Sequence, residues 1–572
     1  MYILGLSALA HDSSAAMVGD GSVIAAIEEG KLSRARSASG IPHAAIRFCF
    51  ERAGVSWNDL ERIAVAARFV PAWWKRSRGR FTESVPTPVS SGDYLRILRQ
   101  LARGQPDRVL ELDHHLCHAA SAFYPSPFER ALIVTMDEMG DGQAGLVALG
   151  EGTNIQPLQA LPFPNSLGWV YSQVTELIGF RPHQDEHKTQ WLSLTGRAEF
   201  AGLFVEMMRR GRNPMPRLNK KFFNSGLEGR VAFSAEFYRR IGTSGADEPL
   251  SAELRANLAA SVQQACATVV TELLRSLCDE HKISTVCLAG GLFLNPLLVE
   301  SVERESGFER VFVQLAAGNE GTALGAAWLV QHQMIGHARQ AELSAPYWGP
   351  IFSNEEIKQV LDNCKATYHW MDSEPRKLDE AVRQLLAGGI VAWYQGAAEF
   401  GPRALGNRSL FASPWDPYMK ENLNDYVKHR ESYRPFALSV PEEDCARYFE
   451  CSDLGRFMGT MARARREADE LLGGLILPGG RVRLHIVERS ANPLLWRLLK
   501  HFGARAPAPM LVNTSFNLFG EPLVISPRDA IRSFYCSGTD AMMLGDFLLT
   551  KSAAQEMPES EIVDQAERWS RA

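Results

Sequence analysis

Two stretches of this chain, far apart in sequence, are written on one plan, and that repetition constrains the fold more than any other feature. Residues 2–29 begin with an apolar run, pass through HDSSAA, and return along a second apolar run broken by the turn Gly19-Asp20-Gly21. Residues 131–152 begin with ALIVTM, pass through DEMGDGQ, and return along AGLVALG to a glycine turn. Short apolar runs bounded by turn residues read as buried strands. Each unit sets an aspartate, Asp12 or Asp137, at the end of a strand ahead of a tight hairpin. Identity between the units is low, so the duplication is read from the plan rather than from matched residues.

Further strands are expected at 286–289, 311–315 and 390–394, and helices at 252–277 and 323–333. The mixture is α/β. Two Asp-bearing hairpins facing each other resemble the two-lobed phosphate clamp of the actin, hexokinase and Hsp70 class of ATP-binding folds. A chain of 572 residues exceeds what one core organises. The mixed segment 334–353 places a domain boundary near residue 345, giving domains 1–345 and 346–572.

Hydrophobic residues make up 45% and charged residues 22%, with a net charge of -5. No basic excess recommends a nucleic-acid partner. No apolar run approaches the ~20 residues of a membrane span, and the N-terminus lacks the basic region of a signal peptide. The nine cysteines are odd in number and form no C-x-x-C pair. Zinc ribbons and disulfide frameworks are therefore not expected, and a reducing, cytoplasmic location is.

In the first half, DHHLCHAASAFYPSPF carries His114 and His118. At i and i+4 on a helix the two imidazoles share a face and reach one ion. Asp137 adds a carboxylate, and such a set suits iron, manganese or zinc; two satisfied structural histidines are the other reading. LAGGLFLN places Gly290, Gly291 and Asn295 at a strand-to-helix turn, where glycines admit a ligand to the backbone and a helix N-terminus favours anions. Alone, such a turn is ordinary close packing. GNEGTALG, with Asn319, repeats the pattern. Together with the Asp hairpins, the two turns fit a nucleotide cleft.

The second half holds EFGPRALGNRS, KHRESYRPFA, RVRLHIV and NTSFN. Arg403 and Arg434 sit among glycine, proline and aromatic residues. Arginine there needs an anionic partner, on pain of several kcal/mol for a buried unpaired charge, and guanidinium forks match phosphate. Ion pairs with Glu399 or Glu431 are the structural alternative. Cations outnumber acids in these motifs, which favours phosphate.

The motif set HHLCHAASAFYPSPF, AGGLFLN, EFGPRALGNRS, KHRESYRPFA and NTSFN closely resembles the O-carbamoyltransferase family, which includes the nodulation protein U class and the cephamycin and tobramycin carbamoyltransferases. The match spans nearly the whole chain in order. The resemblance implies an N-terminal Kae1-like domain of the actin/Hsp70-like, two-lobed ATP-binding class, and a C-terminal YrdC-like α/β domain. It implies that carbamoyl phosphate binds through Arg403, Lys428, Arg434, Arg483, Asn513 and Asn517. Cleavage there gives phosphate and carbamate, and carbamate with ATP and its Mg gives carbamoyl adenylate and pyrophosphate.

Transfer to a hydroxyl of a small-molecule, antibiotic-type natural product then follows in the N-terminal domain. The nucleotide is expected at Gly290, Gly291 and Asn295, near a divalent metal, iron or manganese, on His114, His118, Asp137 and Asn319. The implied catalytic set is Asp12, His114, Asp137 and Arg434. Asp12 orients or deprotonates the acceptor, or serves only as a turn residue. No nucleic acid or membrane partner is expected, and a homodimer is compatible with the reading. Where the family carries Asp, Lys, His and Gln, this chain has Asn319, Arg36, Ser37 and His485.

Three other functions compete with this reading. A tRNA-modifying enzyme of threonylcarbamoyl-adenylate type is opposed by the acidic charge and the Arg434/Asn513 motifs. Carbamoylation of a protein thiol in metalloenzyme maturation is opposed by the missing acylphosphatase and paired-Cys modules. A non-catalytic nucleotide-binding scaffold is opposed by the intact arginines. The basic, aromatic stretches 73–81 and 209–240 are expected as a lid or acceptor wall, or as ordinary surface helices.

Overall fold

The computed structural model describes residues 1–8, 11–68, 100–101, 106–209, 214–224, 232–339 and 345–551. The chain forms two units. The first is Met1–Trp348 with Phe400–Pro402 and Gly459–Met461, and the second holds the remainder from Gly349 onward.

The first unit contains two five-stranded sheets. One is built from β1 (Tyr2–Ser7), β2 (Ser14–Gly19), β3 (Ser22–Glu28), β4 (Leu60–Val65) and β5 (Val109–Glu111), in the order β3-β2-β1-β4-β5. The other is built from β6 (Arg130–Gly140), β7 (Gln143–Glu151), β8 (Asn154–Pro162), β9 (Thr285–Ala289) and β10 (Arg310–Val313), in the order β10-β9-β6-β7-β8. Renumbered within each lobe, the two orders are one order. In both, the first three strands are an antiparallel meander, and the last two are added parallel beside the first. The plan seen in the two hairpins therefore extends to whole lobes. Parallel additions need helical crossovers; the longest here ends in Ala252–His281, a 30-residue helix whose N-cap Ser251 accepts the Leu254 amide at 3.1 Å. The helix expected over 323–333 is Thr322–Trp328, widening into a π-turn over Leu329–Met334.

The second unit is a ten-stranded mixed sheet, confirming α/β throughout. Its strands are β11 (His369–Trp370), β12 (Val391–Tyr394), β13 (Arg408–Ala412), β14 (Ala437–Pro441), β15 (Phe449–Glu450), β16 (Ala462–Ala464), β17 (Arg481–Val487), β18 (Leu511–Ser515), β19 (Ala541–Leu544) and β20 (Phe547–Thr550). The order is β11-β20-β19-β12-β13-β18-β14-β17-β16-β15. Alternate residues along a strand face opposite sides, and each side has its own core. Val391 and Trp393 pack with Leu511, Leu495 and Leu498 on one face, and Ala392 and Tyr394 with Leu410 and Val512 on the other.

No helix among the described residues is long and apolar enough to cross a membrane. The stretch 73–81 lies outside the described residues, as do 210–213 and 225–231; the described remainder of 209–240 holds the short helices Lys220–Phe222 and Ala235–Ile241.

Candidate functional site

In the first unit, Asp113 starts the helix His114–Phe123 by accepting the Leu116 amide at 2.9 Å. One turn later His118 lies on the same face as His114. His114 Nε2 stands 3.1 Å and His118 Nε2 3.3 Å from the same oxygen, Asp137 Oδ2, and all three side chains are buried. Asp137 Oδ1 accepts the Glu138 amide at 2.8 Å. The sequence places Asp137 at the end of its strand, and the structure corrects this. β6 runs on to Gly140, but its register with β7 slips after Met136. Asp137 is the first residue in that slip, and irregularities of this kind re-aim a side chain.

The three donor atoms lie within 4.8 Å of one another. Burial would raise the Asp137 carboxyl, but hydrogen bonds from both imidazoles hold it well below the usual carboxylate range. Burial would lower His114, yet Asp137, with Asp141 and Asp113 behind it, lifts it above its ordinary value. His118 is lowered by burial. Two imidazole nitrogens and one carboxylate oxygen converging under burial fit a divalent cation such as iron, manganese or zinc.

The glycine turn after β9 meets this cluster. Gly290 has φ +99°, and a Cβ there would fall 2.1 Å from the Met136 carbonyl oxygen. A Cβ on Gly291 would fall 3.1 Å from Asp137 Oδ1. The turn's backbone is thus set against the aspartate, as a ligand reaching both would require. Asn295 plays a different part. Its Oδ1 accepts the Leu297 and Leu298 amides at 3.1 and 3.2 Å, and its Nδ2 donates to Gln263 Oε1 at 2.7 Å. It is a helix cap whose polar atoms are engaged within the protein.

Asn319 is buried, and its hydrogen bond runs to His11, with Nδ2 3.3 Å from His11 Nε2. His11 Nδ1 stands 2.8 Å from Asp12 Oδ2. Burial would lower His11, but Asp12, Asp137 and Glu138 raise it to about 9. A protonated imidazole has only donors, so Asn319 would then turn its Oδ1 to the ring. Asp12 itself has φ 59°, a left-handed conformation that Asp tolerates. The sequence reading took Asp12 and passed over His11, although HD is a single dipeptide.

In the second unit, Glu399 Oε1 gathers the amides of Leu405, Asn407 and Arg408 at 2.9, 2.8 and 3.1 Å. Arg408 donates to the carbonyls of Asn407 and Gly396 at 2.9 and 3.1 Å and lies 3.5 Å over the Tyr394 ring. These two residues build the EFGPRALGNRS loop and leave Arg403 half-buried within it. Arg483, on β17, is pushed well down by burial and then by Arg403, Arg430 and Arg434. Arg430 is pushed down to about 9 by burial and by Arg434, with Glu431 opposing. It lies 4.3 Å over Phe436 and donates to Asn424 Oδ1 at 2.8 Å. Arg434 is 3.9 Å from Glu431.

The structure therefore brings Arg403, Arg434 and Arg483 together and adds Arg430, which sits inside KHRESYRPFA and was not singled out. Lys428 donates to Asn517 Oδ1 at 2.8 Å, and Asn517 Nδ2 donates to the Glu521 carbonyl at 2.7 Å. Asn513 is buried on β18. Half-buried guanidiniums gathered in this way, with Arg483 and Arg430 depressed by their neighbours, make a site for a multiply charged anion.

The family model described as carbamoyltransferase N-terminus matches residues 2–76 and 80–328, and the one described as carbamoyltransferase C-terminus matches 382–551. Nodulation protein NolNO of Sinorhizobium fredii is 34% identical over 561 residues, covering 95% of this chain and 79% of the relative. The 3'-hydroxymethylcephem-O-carbamoyltransferase of Amycolatopsis lactamdurans is 32% identical over 265 residues, covering 46% of this chain and 48% of the relative. Among solved structures, full-length HypF in its phosphate- and nucleotide-bound form aligns over 59% of this chain and 56% of that chain, at 12% identity and a TM-score of 0.33.

Proposed function

This chain belongs to the carbamoyltransferase family, whose two models between them match most of it, and from that premise we propose that it makes carbamoyl adenylate from carbamoyl phosphate and ATP, then carbamoylates a hydroxyl of a small natural product. The observation that carries the first half is the gathering of Arg403, Arg430, Arg434 and Arg483 in one half-buried cluster. Like charges repel, and an acyl phosphate followed by a nucleotide triphosphate supplies the anionic oxygens that relieve the repulsion.

In the second unit, carbamoyl phosphate and water give phosphate and carbamate. A carbamate oxygen then attacks the α-phosphorus of ATP, and pyrophosphate leaves. Carbamate is short-lived in water, so a site that excludes bulk solvent serves the step.

Transfer belongs to the first unit. The acceptor oxygen attacks the carbamoyl carbon, its proton passes to a base, and AMP leaves. Asp12, hydrogen-bonded to His11, orients the hydroxyl or takes its proton. The backbone at Gly290 and Gly291 receives the nucleotide beside Asp137. A divalent cation on His114, His118 and Asp137 would supply positive charge to polarise the carbamoyl carbonyl. A relative named for O-carbamoylation of a 3'-hydroxymethylcephem supports a small hydroxyl compound as acceptor.

Pyrophosphate release from ATP by the full chain, with and without carbamoyl phosphate, tests the proposal. Release is expected only with carbamoyl phosphate, and AMP release only when a suitable alcohol such as an aminoglycoside, a hydroxymethyl cephem or an oligosaccharide is added. If ATP cleavage is indifferent to carbamoyl phosphate, the proposal fails.

A further inference from the structure

Beside Asp137 the first unit carries a carboxylate–imidazole pair that has no part in the steps above. Glu138 follows Asp137 in the slipped stretch of β6, and its Oε2 stands 2.7 Å from His183 Nδ1. A carboxylate only accepts, so the shared proton sits on Nδ1. Nε2 keeps its lone pair, and among the described residues nothing donates to it.

The loop that presents His183 is tied down. It joins the helix Leu167–Leu177 to the helix Glu186–Leu192. The His183 amide donates to Glu186 Oε1 at 2.6 Å, and Ser172 Oγ donates to the same oxygen at 2.8 Å. Ser172 lies on the first of these helices and Glu186 opens the second, so one carboxylate ties the loop to both. His183 has φ 64°. That left-handed conformation costs a non-glycine residue free energy and persists where the surroundings enforce it. The imidazole held in this way is 43% exposed and open to a ligand.

His11 stands close by, with its ring centroid 6.0 Å from that of His183, and the two differ in what they can offer. Both nitrogens of His11 are engaged, Nδ1 with Asp12 and Nε2 with Asn319. Raised to about 9, His11 is protonated at neutral pH and has no lone pair to give. His183 has one nitrogen engaged and one free. The hydrogen bond to Glu138 lifts it above its ordinary value against burial, with Glu186 and His11 as its other charged neighbours, and this strengthens it as a base.

We infer that His183 is the base of the transfer step, its Nε2 taking the proton of the acceptor hydroxyl, and that Glu138 is the positioning residue that fixes its tautomer and balances the imidazolium formed. This rests on the assignment of carbamoyl transfer to the first unit and deepens it, leaving Asp12 to orient the hydroxyl. An oxygen lone pair of the acceptor bonds to the carbamoyl carbon as the O–H proton moves to Nε2. The bond from that carbon to the adenylate oxygen breaks, and AMP leaves with its electron pair. The imidazolium then returns its proton to solvent.

AMP release from carbamoyl adenylate by the full chain tests this with two kinds of nucleophile. An aminoglycoside, a hydroxymethyl cephem and an oligosaccharide are alcohols and need a proton removed. Hydroxylamine is a free amine at neutral pH and attacks without a base. His183→Asn keeps a residue that tolerates the left-handed backbone and removes the base. At saturating alcohol it is expected to slow AMP release by about a hundredfold or more, while the hydroxylamine rate holds within about twofold. Glu138→Ala should lower the ratio of alcohol to hydroxylamine rates by about tenfold or more. His183→Gly leaves a gap, and free imidazole should restore part of its alcohol-dependent release.

A structural role for His183 would slow both nucleophiles alike, and that result overturns the assignment. So does an alcohol rate that His183→Asn leaves unchanged, or a His183→Gly chain that gains nothing from imidazole. An unmoved ratio in Glu138→Ala overturns the positioning role. If no alcohol releases AMP from the unaltered chain, the transfer reading itself falls, and the assignment of the base falls with it.

Discussion

One buried histidine in the first unit and one in the second go opposite ways. Against burial, the carboxylates of Asp137, Asp141 and Asp113 lift His114 above its ordinary value, whereas burial pushes His485 down to about 3 with nothing opposing it. The same contrast runs through both sites. The first unit mixes signs, with one carboxylate between two imidazoles. The second collects guanidiniums, and Arg430 and Arg483 are depressed by the others. A mixed site that converges on one point is suited to a cation and to exact placement of a reacting carbonyl. A site of one sign is suited to an anion and to group transfer at phosphorus. The two half-reactions proposed above divide along that line, and so they should separate experimentally.

The largest effects test the separation directly. Arg434→Ala is expected to cut carbamoyl-phosphate-dependent pyrophosphate release by about a thousandfold or more, as loss of a charge-assisted phosphate contact does in a desolvated site. Transfer from carbamoyl adenylate supplied in the assay should continue. His114→Ala should do the reverse, sparing pyrophosphate release, lowering transfer by roughly a hundredfold or more, and reducing the bound metal measured by elemental analysis. If both variants lose the same half-reaction, the comparison between the units collapses.

Much of this was readable from the chain, and the boundary of what was readable is physical. The strand–Asp–hairpin plan is local, so 2–29 and 131–152 disclosed the lobe topology before β4, β5, β9 and β10 were known to complete it. His114 and His118 are one helical turn apart, so their shared face followed from helix geometry. The slip in β6 that aims Asp137 was not readable, because it depends on pairing with β7. Nor was the meeting of Gly291 with Asp137, or of Asn319 with His11, 308 residues apart. Asn295 shows a structural part that the motif did not reveal. An asparagine ahead of Pro296 at a helix start is a cap, a part that depends on the helix it begins. The arginine cluster was anticipated from composition, but its membership needed the sheet, which brings Arg430 and Arg483 together.

Smaller effects sharpen the comparison by showing that each site is built on its own unit's backbone. Gly290→Ala puts a Cβ 2.1 Å from the Met136 carbonyl oxygen at a φ of +99°. Neither backbone can give way easily, so a loss of about 3 kcal/mol or more is expected. In urea denaturation followed with separate probes for the two units, the transition of the first should move and that of the second should not. Joint movement would mean that the units unfold as one, and the contrast between them would then concern chemistry alone.

The smallest effect concerns His485 and has a definite sign. Its folded value, about 3, lies below its ordinary 6.5, so the unfolded chain takes up a proton first as pH falls. Stability from this group is full above about pH 6.5 and is lost progressively as pH drops toward 3. Between pH 7.5 and 5.5 the loss amounts to about 1.4 kcal/mol, close to one pKa unit of differential protonation. Other histidines titrate in the same window, and the informative quantity is therefore the difference between the parent and His485→Gln, which does not titrate. The variant should show a shallower acid slope for the second unit's transition and an unchanged one for the first. Parallel slopes would show that His485 does not stay neutral in the folded chain. A charged imidazole cannot accept at Nδ1, so that result would also remove the hydrogen bonds from Ser439 Oγ at 2.9 Å and Asn513 Nδ2 at 3.3 Å, on which the orientation of the Asn513 amide depends.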